Sequence, residues 1–179
     1  MLMARSRPAR SGSTGELQTF EEGKQGVGCP VAAGVDPRFG YESSPAWSPN
    51  GKRIVFDAPR AAIPPPPRAV TDLYVVAADG SGRARRVVRN AADPSWSVEG
   101  LFAFERPSNA IPPRPRRIVI SRSDGTHAHV VSSGTANRPD FSRDPDFSPD
   151  GSRIVYYAGA KNRLEDSTDF AERQGSFFE

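Results

Sequence analysis

The sequence predicts an all-β chain assembled from repeated four-stranded antiparallel units. Two observations carry this. The phrase Pro45-Ala46-Trp47-Ser48-Pro49-Asn50-Gly51-Lys52-Arg53-Ile54-Val55-Phe56 returns as Pro145-Asp146-Phe147-Ser148-Pro149-Asp150-Gly151-Ser152-Arg153-Ile154-Val155-Tyr156, and a worn copy, Pro94-Ser95-Trp96-Ser97-Val98-Glu99-Gly100-Leu101-Phe102-Ala103-Phe104, lies midway. Copies at a step of about fifty residues mark a repeat architecture. The chain also holds 16 Gly and 18 Pro among 179 residues, a proportion that fits many turns between short strands better than packed helices.

Each element of the repeat follows from local chemistry. Ser48-Pro49-Asn50-Gly51 puts Pro where φ must lie near −65°, Asn where a bridge or left-handed conformation is tolerated, and Gly where φ can be positive. Trp47 before it and Ile54-Val55-Phe56 after it are strand formers, so the phrase predicts a β-hairpin. Ile54-Val55-Phe56 does not alternate with polar residues, which predicts burial on both faces, and the same holds for Ile154-Val155-Tyr156. A third strand follows, ending in an Asp-Gly turn: Leu73-Tyr74-Val75-Val76 before Asp79-Gly80, and Ile118-Val119-Ile120 before Asp124-Gly125. Short apolar pairs, Val87-Val88 and Val130-Val131, supply the fourth. Four antiparallel strands per repeat make a propeller blade whose faces stack on its neighbours. The expected fold is therefore a partial β-propeller of about two and a half blades with disordered termini.

The boundaries follow. Residues 1–38 read as a disordered or weakly structured arm, with a helical turn or two over 16–24. Residues 39–158 hold the blades, at about 44–90, 91–133 and a truncated 134–158. Residues 159–179 form a polar tail in place of the strands that would complete the third blade. A blade face of four strands ~17 Å long and ~4.8 Å apart covers roughly 300 Å². An incomplete ring leaves two such faces open, which predicts self-association or poor stability.

The repeat resembles the TolB-type, WD-like β-propeller repeat, whose signature is Pro-x-Trp-Ser-Pro-Asp-Gly-x-x-Ile-Ala-Phe followed by Ile-Tyr-Val and Asp-Gly. The resemblance covers roughly residues 43–158. It implies a propeller, usually of six blades, and roles in protein binding at the bacterial cell envelope or in capping serine peptidases of the prolyl oligopeptidase type. The middle copy departs from the pattern: it lacks the turn Pro and is one residue shorter between Gly100 and Phe102-Ala103-Phe104.

Charge and motifs exclude several function classes. A net charge of +3 is too small to argue for nucleic acid, and the Arg5, Arg7, Arg10 cluster has no interleaved aromatics. No stretch approaches the ~20 apolar residues of a membrane span. A single cysteine, Cys29, precludes an internal disulfide framework, and the charged stretch before it is not a lipobox. No signal peptide is visible. The expected location is the cytoplasm by default, or the periplasm or cell envelope if the resemblance holds and the N-terminus is truncated or misassigned.

No Gly-x-Ser-x-Gly elbow, His-Glu-x-x-His motif or P-loop occurs, so no catalytic residue, cofactor or metal is assigned and the chain is read as non-enzymatic. His127 and His129 at i, i+2 could share a strand face, but they read as solvent-exposed polar residues on an outermost strand. Asp144, Asp146 and Asp150 suggest calcium, yet Asp150 already serves the hairpin turn, as Asn50 does in the first copy. Trp47, Trp96 and Phe147 share one repeat position and read as packing between blades.

Two Pro-rich connections remain. Arg60-Ala61-Ala62-Ile63-Pro64-Pro65-Pro66-Pro67-Arg68 and Ser108-Asn109-Ala110-Ile111-Pro112-Pro113-Arg114-Pro115-Arg116 both join a second strand to a third and both contain Ala-Ile-Pro-Pro. Strand alternation places them on the rim shared with the fourth-to-first connections. Polyproline stiffness lowers the entropy lost on binding, which makes Ile63, Arg68, Ile111 and Arg114 candidate partner-binding residues. The alternative is that duplication copied one stiff insertion and the repetition records ancestry only. The reading is thus a non-catalytic TolB-like module mediating protein–protein interaction, with self-association completing the ring as one form of it. Its alternatives are a segment capping a prolyl-oligopeptidase-like serine hydrolase encoded elsewhere, and a truncated relic of a larger propeller.

Overall fold

A computed structural model describes the backbone of residues 2–6, 17–21, 29–30, 43–59, 70–107, 115–132, 142–158 and 169–174, with side chains over 43–59, 70–107, 115–132 and 142–158. Every element among the described residues is a β-strand. The first blade comprises β4 (Ser43–Trp47), β5 (Arg53–Pro59), β6 (Thr71–Ala77) and β7 (Arg85–Val88), hydrogen-bonded in that order. The second comprises β8 (Ala92–Trp96), β9 (Leu101–Pro107), β10 (Arg116–Arg122) and β11 (His129–Val130), again in chain order. The third comprises β12 (Arg143–Phe147), β13 (Arg153–Ala158) and β14 (Asp169–Gln174). The chain divides into two compact units, Met1–Ala92 and Asp93–Glu179, and each is described by itself.

The turn chemistry is as the sequence dictates. The Gly51 N–H donates to the Ser48 carbonyl at 2.9 Å, and Gly51 sits at φ +66°. Asn50 Oδ1 accepts from the Ser48 hydroxyl (2.9 Å) and the Lys52 N–H (3.0 Å). In the third blade Asp150 takes the same role, accepting from Ser148 Oγ (2.6 Å), Ser152 N–H (3.0 Å) and Ser152 Oγ (2.9 Å). Those donors, Ser148 first, hold the exposed Asp150 carboxyl down at about 2. In the shorter middle copy Ser97 N–H reaches Leu101 O at 2.9 Å, one residue sooner than the Ser48–Arg53 closure.

The glycines of these turns differ in what surrounds them. A Cβ on Gly51 would meet nothing within 4 Å, whereas one on Gly151 (φ +75°) would lie 2.9 Å from Val98 Cγ2. Both alanine variants suffer the left-handed penalty of about 1–2 kcal/mol. Gly151→Ala is expected to lose a further ~1 kcal/mol or more through overpacking. Urea unfolding of the two variants measures the difference, and equal losses would mean that Val98 gives way freely.

Strands β5 and β9 are buried on both faces, as their lack of alternation predicts: Ile54, Val55, Phe56 and Ala58, and Leu101 through Glu105, are all inaccessible or nearly so. Ile54, Phe56, Ala58 and Val76 form one core cluster, with Phe56 stacked on Tyr74 at 5.9 Å. In the second unit Leu101, Ala103, Ile118, Ile120 and Val131 pack against Phe147, Ile154 and Tyr156 of the third blade.

Four expectations are corrected. Residues 16–24 do not form a helical turn: Leu17–Glu21 is strand β2, paired antiparallel with β1 (Leu2–Ser6) and β3 (Cys29–Pro30) in a three-stranded sheet. The β-favouring Thr19 and Phe20, with a partner strand on each side, outweigh local helix preference. The polar tail contributes β14, which extends the third blade by bonding the edge of β13 from Arg153↔Gln174 to Ala158↔Asp169. Main-chain pairing of an open edge does not depend on apolar side chains. The first blade is not an open end, since Ile54, Phe56 and Ala58 are wholly buried. Finally, Val155 is 40% exposed while its repeat equivalents Val55 and Ala103 are 0% exposed, so β13 is buried on one face only.

Candidate functional site

A backbone feature recurs that the repeat phrase only hints at. Ser44, Asp93 and Asp144 occupy one repeat position, each immediately before a proline, and all have positive φ (48°, 49° and 53°). Proline disfavours the right-handed helical region for the residue before it, and Asp is among the few residue types that accept the left-handed one. Pairing of β4 with β5 and of β12 with β13 shifts register at these points, between Ser43 and Ala46 and between Arg143 and Asp146. Each bulge turns main-chain and side-chain polar groups out of the ladder.

An acidic side chain on the second strand receives them. In the first blade Asp57, buried, accepts from Ser43 Oγ at 3.0 Å. In the second, Glu105 occupies the same repeat position and is 1% exposed. Its Oε1 accepts the N–H of Asp144, from the third blade, at 2.9 Å, and its Oε2 pairs with Arg116 Nη1 from β10. Asp93 stands on the third side: oxygens of Asp93, Glu105 and Asp144 lie within 4.8 Å of one another. Burial pushes the Glu105 carboxyl up to about 7, and the charge of Asp93 adds to this, against the opposing pull of the Asp144 N–H and Arg116.

A second strap runs alongside. Ser95 Oγ donates to Asp146 Oδ1 at 2.7 Å and accepts the Phe147 N–H at 3.2 Å. Arg143 pairs with Asp144 at 3.8 Å and lies over the Tyr157 ring at 4.5 Å. The second and third blades are therefore stitched by polar contacts along β8, β9 and β12, above the apolar cluster they share. The three carboxylates are spaced for a hard cation, but both oxygens of Glu105 already have donors and Arg116 supplies a cation of its own. The cluster reads as a structural junction rather than a metal centre.

The calcium triad weighed from the sequence is not one group: Asp150 is engaged in its turn, Asp146 with Ser95, and only Asp144 joins the carboxylate cluster. The two histidines do not share a strand face. His127 lies outside β11, at φ +55° in the turn, and only His129 is on the strand; both are exposed. Trp96 packs edge-on against Phe102 at 4.7 Å, Trp47 lies beside the first core cluster and Phe147 is in the second. The buried Nε1 of both tryptophans has no hydrogen-bond partner, a cost that Phe147 avoids at the same position.

The candidate partner-binding residues Ile63, Arg68, Ile111 and Arg114 lie outside the described residues. The ends of the first of these connections and of the fourth-to-first connection do meet. Thr71 Oγ1 donates to Ala91 O at 2.8 Å, and the Asn90 N–H donates to Asp72 Oδ1 at 2.8 Å. Sequence reasoning missed Glu105 and Asp93. The available signal was an acid directly after the second-strand Phe, in Phe56-Asp57 and Phe104-Glu105, recurring in step with a polar residue before proline.

No protein-family model matches the chain, and no curated protein matches it. Solved structures do. Prolyl oligopeptidase B from Galerina marginata bound to a 25mer macrocyclization substrate matches at a TM-score of 0.57 and 14% identity, over 90% of this chain and 28% of that one. A Mycobacterium tuberculosis puromycin-hydrolyzing peptidase matches at 0.55 and 17%, over 88% and 27%. The β-propeller domain of the Trilobed protease from Pyrococcus furiosus matches at 0.50 and 14%, over 69% and 35%. The chain thus spans about a third or less of each of these proteins. At such identities the likeness is one of fold, and the fold is that of a β-propeller.

Proposed function

We propose that the chain is a non-catalytic, TolB-like β-propeller module that binds another protein, with the outer face of the third blade as the docking surface. The family assignment is supported by the repeated Trp/Phe-Ser-Pro-Asx-Gly hairpins. One observation carries the docking surface: Val155 is 40% exposed at a repeat position that is fully buried in both preceding blades. The partner is a β-sheet carrying an aliphatic and aromatic face, because that is what the second blade receives from Phe147, Ile154 and Tyr156. A second copy of this chain is one source of such a sheet. The Pro-rich connections, with Ile63, Arg68, Ile111 and Arg114, supply additional contacts on the rim.

A second reading is favoured by the solved structures of similar fold, several of which are peptidases: the chain caps a prolyl-oligopeptidase-like serine hydrolase encoded elsewhere. A photo-crosslinking side chain at position 155 of the full chain, expressed in its native cells, separates these. Adducts with a sheet-bearing protein, absent when the probe is moved to exposed Val130, are expected. Adducts with a serine hydrolase alone favour the capping role. No adduct, or equal labelling from both positions, would reject the docking surface.

A further inference from the structure

We propose that Asn50 is a site of spontaneous covalent modification: attack by the main-chain nitrogen of Gly51 converts it to aspartate, and the first-blade turn holds that product in place. Asn50-Gly51 is the sole Asn-Gly pair in the sequence. Glycine leaves the attacking nitrogen unshielded by a side chain, and both residues are exposed, so water, the co-reactant, is at hand. A Cβ on Gly51 would meet nothing within 4 Å, so no neighbour crowds the residue. Asn50 Oδ1 already has the Lys52 N–H at 3.0 Å and the Ser48 hydroxyl at 2.9 Å. Negative charge that develops on this oxygen therefore meets two donors in position. The brake is the Gly51 N–H, which donates to the Ser48 carbonyl at 2.9 Å and must be released before its nitrogen can attack.

The chemistry balances with water alone. The Gly51 nitrogen gives its proton to hydroxide and forms a bond to Asn50 Cγ. The Cγ–Nδ2 bond then breaks, and the side-chain nitrogen takes up a proton and leaves as ammonia. A cyclic imide remains, and water adds to one of its carbonyl carbons. Addition at Cγ restores the main chain and leaves aspartate. Addition at the main-chain carbonyl carbon leaves isoaspartate, with the chain rerouted through the side chain. The donors on Oδ1 polarise the Cγ carbonyl and so direct water toward aspartate.

The third blade displays the product. Ser148 Oγ lies 2.6 Å from Asp150 Oδ1 and 3.3 Å from the Arg153 carbonyl. In the first blade the same hydroxyl is divided between Asn50 Oδ1 at 2.9 Å and the Arg53 carbonyl at 3.0 Å. Its one proton is drawn to a carboxylate and shared by an amide, as the stronger pull of a charged acceptor requires. The Gly151 N–H keeps its bond to the Ser148 carbonyl at 2.8 Å, so the turn closes around either residue. Ser148 and Ser152 hold the Asp150 carboxyl down at about 2. An aspartate in this turn stays ionised, and a carboxylate is too poor an electrophile to re-enter the ring. Isoaspartate, with an extra main-chain carbon, displaces the Gly51 N–H from the Ser48 carbonyl. Conversion to aspartate thus keeps the hairpin and adds a negative charge beside the exposed Lys52 and Arg53.

Ageing the full chain at mildly alkaline pH, folded and in guanidinium chloride, tests this. Peptide mapping with a protease that cleaves before aspartate but not before isoaspartate reads position 50. In the folded chain aspartate is expected to exceed isoaspartate several-fold. In guanidinium chloride, where no turn directs water, isoaspartate is expected to predominate. Isoaspartate predominating in the folded chain would overturn the proposal, as would a folded chain still unconverted when the denatured sample has reacted fully. Asn50→Asp supplies the product directly. Its urea midpoint is expected to equal or exceed that of the parent, and a lower midpoint would show that the turn does not hold aspartate.

Discussion

Replacing Val55 with Asp is expected to unfold the first blade, while the same replacement at Val155 leaves the fold intact. The two residues occupy one repeat position between near-identical neighbours, Arg and Ile before and an aromatic residue, Phe56 or Tyr156, after. Their sequence contexts therefore predict equal effects. Their exposures, 0% and 40%, predict very different ones. An aspartate at position 55 would place an unpaired charge in an apolar interior, at a cost of several kcal/mol beyond the lost valine contacts. At position 155 the carboxylate would be hydrated, and a change within about 0.5 kcal/mol is expected. Circular dichroism during urea titration reads both. A folded Val55→Asp protein would show that position 55 is open to water, and a Val155→Asp protein as unstable as Val55→Asp would show that the third blade is covered in solution. The Val155→Asp variant is also informative for binding, since it should no longer co-purify the partner while keeping its fold.

The second large effect is expected at Phe102. Its side chain is fully buried and meets the edge of Trp96 with ring centroids 4.7 Å apart. Phe102→Ala should cost about 3–5 kcal/mol through lost burial and the cavity left behind. Domains of this size are stable by only about 5–15 kcal/mol, so the variant should be largely or wholly unfolded at moderate temperature. The middle repeat is the most degenerate as a phrase, having lost its turn proline, yet its strand β9 is buried along five consecutive residues. A loss below about 1 kcal/mol would mean that this degeneracy extends to the packing.

Much of the architecture was legible before any coordinates. The Ser-Pro-Asx-Gly turns, the second strands and the Asp-Gly turns are local features, fixed by φ preferences and by runs of apolar residues within about a dozen positions. The blade, with strands bonded in chain order, follows from them. The elements misread were those whose local signal is weak. Leu17–Glu21 and Asp169–Gln174 are polar enough to pass for arms, and each becomes a strand because a partner edge is available to pair with it.

The candidate junction was hidden for a different reason. Glu105 and Asp144 are separated by 39 residues, and neither belongs to a recognised motif. The left-handed residues before Pro45, Pro94 and Pro145 turn their main-chain groups out of the ladder, so a buried acid can find a donor from the next blade. The calcium reading of Asp144, Asp146 and Asp150 illustrates the limit: the spacing suggested one site, and folding sends the three carboxylates to three different partners, Arg143, Ser95 and the turn serines.

The amino-acid sequence by itself determined the hairpins, the blade and its repetition, because turn geometry and strand burial are decided by near neighbours. Only the tertiary structure decided which copies are enclosed and which face is bare, and which acid sits beside which bulge. Val55 and Val155 are the same residue in nearly the same words. What separates them is whether another sheet lies against them, and burial is a property of the neighbour across the face rather than of the neighbour along the chain.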